Sequence, residues 1–180
     1  MLYFGVVSCS GVTPPDHLTQ RRAEHSHPHQ LIRDFQQMIE AVQSGQAEAS
    51  SELLKSYMVS EEEFKTLFGK PVSDTAWPTY KAEVLEPALA ESGPAMNERI
   101  KAGLTQVEVK RVSSIRPRAT TAGDILMLDT LKVPVEMYTV RLRKDDEQLG
   151  FRINGFFYAD GRWRCLMKAY NHLPNDERRP

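Results

Sequence analysis

The chain is expected to fold as an α+β domain, with N-terminal helices packed on a curved antiparallel sheet of about four strands closed by a C-terminal hairpin. Three observations predict this. Apolar residues recur at helical spacing from Leu31 to Val42 and again, in shorter stretches, up to Ile100. From Val107 onward the period changes to two, the signature of strands with one face buried. The two last strands are joined by Tyr158-Ala159-Asp160-Gly161, and Asp-Gly at a short connection is a strong hairpin signal.

In chain order, Leu31, Ile32, Phe35, Met38, Ile39 and Val42 define an amphipathic helix over about residues 30 to 44, ended by Ser44-Gly45. A second helix, from about Gln46 to Met58, carries Leu53, Leu54 and Tyr57. Ser60 with Glu63 forms a capping box that starts a short helix bearing Phe64, Leu67 and Phe68 and closed by Gly69. Trp77-Pro78 is expected to begin the next helix, with Pro87 interrupting it and Ser92-Gly93-Pro94 breaking it. A last helix then spans about Pro94 to Gly103.

In the second half, Val107 and Val109 mark a strand, and a polar loop follows from Arg116 to Asp124. Ile125 to Leu128 is expected to add a short strand before the three long ones, about Val133–Lys144, Gln148–Tyr158 and Arg162–Lys168. Strict alternation sorts these strands by face. Tyr138, Val140, Leu142, Leu149, Phe151, Ile153, Phe157, Trp163, Cys165 and Met167 are expected to pack under the helices. The opposite face gathers Arg141, Arg143, Arg152, Tyr158, Arg162, Arg164 and Lys168, together with Thr139, Asn154, Phe156 and Leu166. This basic face with embedded aromatics is the main candidate binding surface. Solvated arginine stems, a self-association or protein-partner face, and anion binding are its competing readings.

Composition limits the function classes. Of 180 residues, 41% are hydrophobic and 26% charged, enough apolar content for one domain with a real core. Lys and Arg number 23 against 24 acids, and without a basic excess no nucleic-acid partner is expected. No run reaches the roughly 20 apolar residues of a membrane-spanning helix. His25, His27 and His29 alternate, but no cysteine or carboxylate completes a ligand set, so no metal site and no cofactor is expected. Cys165 reads as a small buried hydrophobe.

The termini differ from this domain. Residues 1–29 read as a tail, apolar to Cys9 and then polar with Pro14, Pro15 and Pro28; residues 30–170 are the folded domain and 171–180 a polar tail. Val6-Val7-Ser8-Cys9 resembles the lipobox of bacterial lipoproteins, which implies lipidation at Cys9, a membrane tether and an extracytoplasmic location. Two features depart from that pattern: no Lys or Arg precedes Cys9, and the apolar run is short. The other reading is an unstructured tail on a cytoplasmic protein.

Helices followed by an antiparallel sheet that ends in Phe156-Phe157-Tyr158-Ala159-Asp160-Gly161-Arg162-Trp163 resemble the nuclear transport factor 2-like (SnoaL-like, cystatin-like α+β) superfamily. The resemblance covers roughly Gln30 to Lys168 and implies a cone-shaped pocket between helices and sheet, with the outer sheet face available for homodimers. Enzymatic members of that superfamily place a carboxylate or histidine in the cone. The inward strand positions here hold neither. The catalytic candidates are the inward Tyr138 and Glu136, which shares its parity and is expected at the rim; Asp124 and Asp129, in or beside the loop, are also within reach of the pocket. The expected function is therefore a non-enzymatic binding or interaction module. The alternative is a small-molecule-binding protein or an isomerase- or dehydratase-like enzyme that uses the cone.

Overall fold

A computed structural model describes residues 27–113, 120–145, 147 and 149–174. Cys9 and the residues around it lie outside the described residues. The fold is α+β. Helices α1 (His27–Gln43), α2 (Ala49–Tyr57), α3 (Glu61–Phe68) and α4 (Val72–Tyr80) lead through a π-helical turn (Lys81–Leu85) into α5 (Glu86–Lys101). Strand β1 (Gln106–Arg111), helix α6 (Ala122–Thr130) and strands β2 (Met137–Arg143), β3 (Gly150–Ala159) and β4 (Arg162–Cys165) complete it. The strands form one antiparallel sheet in the order β1-β2-β3-β4.

Local chemistry accounts for most boundaries. The capping box at the start of α3 is closed in both directions, Glu63 N to Ser60 Oγ at 3.2 Å and Ser60 N to Glu63 Oε2 at 2.8 Å. Asp160 and Gly161 both take positive φ, 49° and 77°, as a two-residue hairpin turn requires.

Two expectations about helices are corrected. Residues 72–101 run on as helix through Pro78, Pro87 and Pro94 instead of breaking at Ser92-Gly93-Pro94. Pro87 sits in the first turn of α5, just after the wider π turn, where the regular hydrogen-bond ladder is already shifted. Ile125–Leu128 is helical, not a strand, because Thr121 and Asp124 form a second capping box that nucleates α6.

A third correction sets the architecture. The β2–β3 register slips between Tyr138 and Thr139, which pair with Phe156 and Asn154, so Gly155 is an extra residue with φ 89°. Such a β-bulge reverses side-chain parity beyond it. Phe156 therefore turns inward, edge-on to Phe35 and Tyr57 at 5.8 and 5.7 Å, while Phe157 turns to the other side. Tyr158 faces with Trp163, its cross-strand partner, and Leu149 is 83% exposed instead of inward.

The sheet consequently has a core on each face. On one side Val140, Leu142, Ile153, Phe156 and Trp163 pack against α1, α2 and α5. On the other, Met137, Phe157 and Leu166 pack against α3, α4, the π turn and α6. Cys165 lies within the first core, fully buried, and burial pushes its thiol up to about 12. At pH 8 only about 10⁻⁴ of it is then thiolate. In a Cys9→Ser variant, Cys165 is expected to resist a thiol-specific disulfide reagent at pH 8 and to react fully once unfolded in urea. Prompt labelling of the native protein would contradict this placement.

Candidate functional site

The unequal lengths of β3 and β4 create a cavity. Along β3, β4 pairs with Phe156 to Ala159 and no further. After Cys165 the chain turns away: Leu166 N bonds Gly155 O at 2.9 Å, and Lys168 adopts a left-handed conformation with φ 53° before a 3₁₀ turn, Ala169–Asn171. Among the described residues, no strand lies beside the half of β3 before the bulge on that edge. Helix α5 runs across the gap, and the space between them is a pocket of about 310 Å³.

Its floor is apolar, formed by Leu54 of α2, Met96 of α5, Phe151 and Ile153 of β3, and Met167. Polar groups line the rest: Glu91 and Ser92 of α5, Arg152, Asn154, Lys168 and Tyr170. Residues from both faces of β3 contribute because the pocket lies over the open strand edge. A second, more polar compartment of about 450 Å³ adjoins it, lined by Glu83, Glu91, Ser92, Lys168, Asn171 and His172 among others. Glu91, Ser92, Met167 and Lys168 belong to both compartments.

The wall bearing Arg152 is held from behind. Arg152 donates from Nη2 to Asp124 Oδ2 at 2.8 Å and from Nε to Asn154 Oδ1 at 2.6 Å. Asp124 is completely buried, and the same oxygen accepts from Thr121 N and Oγ1, each at 2.8 Å. The α6 cap thus doubles as the seat of a pocket residue. Asp129, by contrast, is exposed on α6.

The seven residues grouped as a basic surface do not share one surface. Arg164 is only 2% exposed; its Nε and Arg162 Nη2 both donate to Glu63 Oε1, at 2.6 and 2.8 Å. Tyr158 belongs to the Trp163 side, and Arg152 and Lys168 belong to the pocket. Arg141 and Arg143 lie on the polar half of the second face with Glu108. There Lys110, followed by Arg141 and Arg143, holds the Glu108 carboxyl below the usual carboxylate range.

Glu136 and Tyr138 do come together. Tyr138 Oη donates to Glu136 Oε2 at 2.7 Å, and Arg111 Nη2 pairs with Glu136 Oε1 at 2.6 Å. They line a smaller pocket of about 240 Å³ with His27, Pro134, Val135 and Tyr158, where the His27 and Tyr158 rings stack at 3.7 Å. Both carboxylate oxygens are engaged, and the side chain is 46% exposed.

Sequence reasoning missed Glu63 and Glu91. Glu63 was visible only as a capping residue, and its link to Arg162 and Arg164 spans about a hundred positions. Glu91 carries no local signal, because the pocket depends on where β4 ends. Among the described residues no group of acids, histidines and cysteines is placed to hold a metal ion, and no helix is long and apolar enough to cross a membrane. No protein-family model matches the chain, and no curated protein or solved structure was found to be similar to it.

Proposed function

We propose that this protein is a non-enzymatic binding module, of nuclear transport factor 2-like build, whose ligand is a small molecule with an apolar body. The observation that carries this reading is the 310 Å³ pocket, lined by Leu54, Met96, Phe151, Ile153 and Met167 at its floor and by a few polar groups at its rim. Small-molecule sites have this size and this division of lining. The binding surface first expected over seven residues contracts to Arg152 and Lys168, which border the pocket. Arg141, Arg143 and Arg162 remain for contacts with a protein partner or a second copy. Tethering through a lipidated Cys9 remains part of the proposal on the strength of Val6-Val7-Ser8-Cys9 alone.

The test uses methionine methyl NMR on the full chain with indole as an apolar probe. Met96 and Met167 should shift on titration, while Met38 and Met127, which lie outside the pocket, should not. Ala95 lines the pocket from the exposed side of α5, so Ala95→Trp is expected to plug it and abolish the shifts. Shifts that persist in the plugged variant, or no shift up to the solubility limit of indole, would defeat the reading.

A further inference from the structure

The rim of the pocket carries a charge pattern that narrows the ligand. Resting on the small-molecule reading above, we infer that the ligand is a zwitterion, an α-amino acid with a large apolar side chain. The apolar group would enter the 310 Å³ compartment, the carboxylate would meet Lys168, and the ammonium would meet Glu91.

Four observations converge on this assignment. Of the other polar groups near the pocket, Arg152 is paired with Asp124 at 2.8 Å, and His172 Nδ1 lies 3.9 Å from Glu83 Oε2. The side chains of Lys168 and Glu91 are each exposed and without an ion pair or hydrogen bond among the described residues. Both line both compartments, so both stand where the apolar floor meets the polar mouth. Lys168 is also held in a left-handed backbone conformation that few non-glycine residues adopt, which fixes the place where the chain carries it to the rim.

The two charges also argue against simpler ligands. A plain anion that meets Lys168 is opposed by Glu91, and a plain cation that meets Glu91 is opposed by Lys168. A molecule that carries both charges can satisfy each and strand neither. Volume agrees: 310 Å³ is about ten water volumes, room for a ligand of roughly ten heavy atoms.

The experiment compares four compounds by calorimetry and by the Met96 and Met167 methyl shifts. L-leucine and L-phenylalanine carry both charges, L-leucinamide lacks the carboxylate, and N-acetyl-L-leucine lacks the ammonium. Each blocked compound is expected to bind about tenfold or more weakly than leucine, the usual loss for one charge-assisted contact. Lys168→Gln should weaken leucine about tenfold or more and leave leucinamide bound no more weakly than before, since the cation that opposes its ammonium is gone. Glu91→Gln should likewise weaken leucine and leave the N-acetyl compound bound no more weakly than before. Both side chains are exposed, so neither change removes core packing. If the blocked compounds bind as tightly as leucine while indole still shifts Met96 and Met167, the zwitterion assignment falls and the apolar-pocket reading stands. If indole also leaves those methyls unmoved, both fall.

Discussion

Arg152→Met is expected to destabilise the protein by about 3 kcal/mol, the lower end of the 3–5 kcal/mol seen when one partner of a buried ion pair is removed. The cost arises at Asp124. That carboxylate is completely buried, and its three hydrogen bonds from other groups all reach Oδ2: one from Arg152 Nη2 and two from Thr121. Removing the guanidinium leaves a desolvated charge held only by the neutral donors of the helix cap. The lower end of the range applies because Arg152 is itself 23% exposed, so water reaches part of the pair. Asp124→Asn in the same background removes the stranded charge and should recover a substantial part of the loss. Urea unfolding of the two single variants and the double variant gives the coupling. A single-variant loss below about 1 kcal/mol would place the pair among ordinary surface contacts. Because Arg152 also lines the pocket, indole binding in Arg152→Met reports whether the wall moved.

The elements that proved legible in the sequence are those fixed by neighbours in the chain. The Leu31–Val42 stripe, the Ser60–Glu63 box and the Asp160-Gly161 turn each carry their cause within a few residues, and each forms where expected. The α+β order follows from the change of period. What was misread depends on one residue or on distant parts of the chain. Gly155 inside a strand is a known bulge signal, and strict alternation without that bulge puts Phe156 and Phe157 on the wrong faces. Thr121 and Asp124 satisfy the same capping rule that located α3, yet the apolar Ile125–Leu128 run outweighed them. The pocket had no local signature, since it needs β4 to end at Cys165 and α5 to continue past Pro94. Arg152 and Lys168 are legible in the sequence by their charge, and both line the pocket. Arg164 shared that charge but lies in the interior, paired with Glu63.

Gly93→Ala should reverse the usual sign of a glycine-to-alanine change in a helix. On an unhindered helix position the substitution gains about 1 kcal/mol from backbone entropy. At Gly93, a Cβ would overlap Ser51 Oγ and stand 2.8 and 2.9 Å from Ser51 Cβ and Cα. A flexible hydroxyl can rotate away, but a backbone atom of α2 cannot, so the helices must separate. Overpacking of this kind costs about 1–3 kcal/mol, which exceeds the propensity gain over most of that range. The crossing has little freedom to absorb the shift, because Asn97 Nδ2, one turn along α5, already bonds Ala47 O at 2.6 Å. Both helices also line the pocket, α2 through Leu54 and α5 through Glu91, Ala95 and Met96. Gly93→Ala is therefore expected to lower the urea midpoint and weaken indole binding together. Adding Ser51→Gly removes the clashes with the Ser51 side chain but leaves the new methyl pressed against the α2 backbone, so it should restore only part of both. A Gly93→Ala protein as stable as the parent would mean that α2 and α5 lie farther apart, and the pocket between α5 and β3 would then need a different shape.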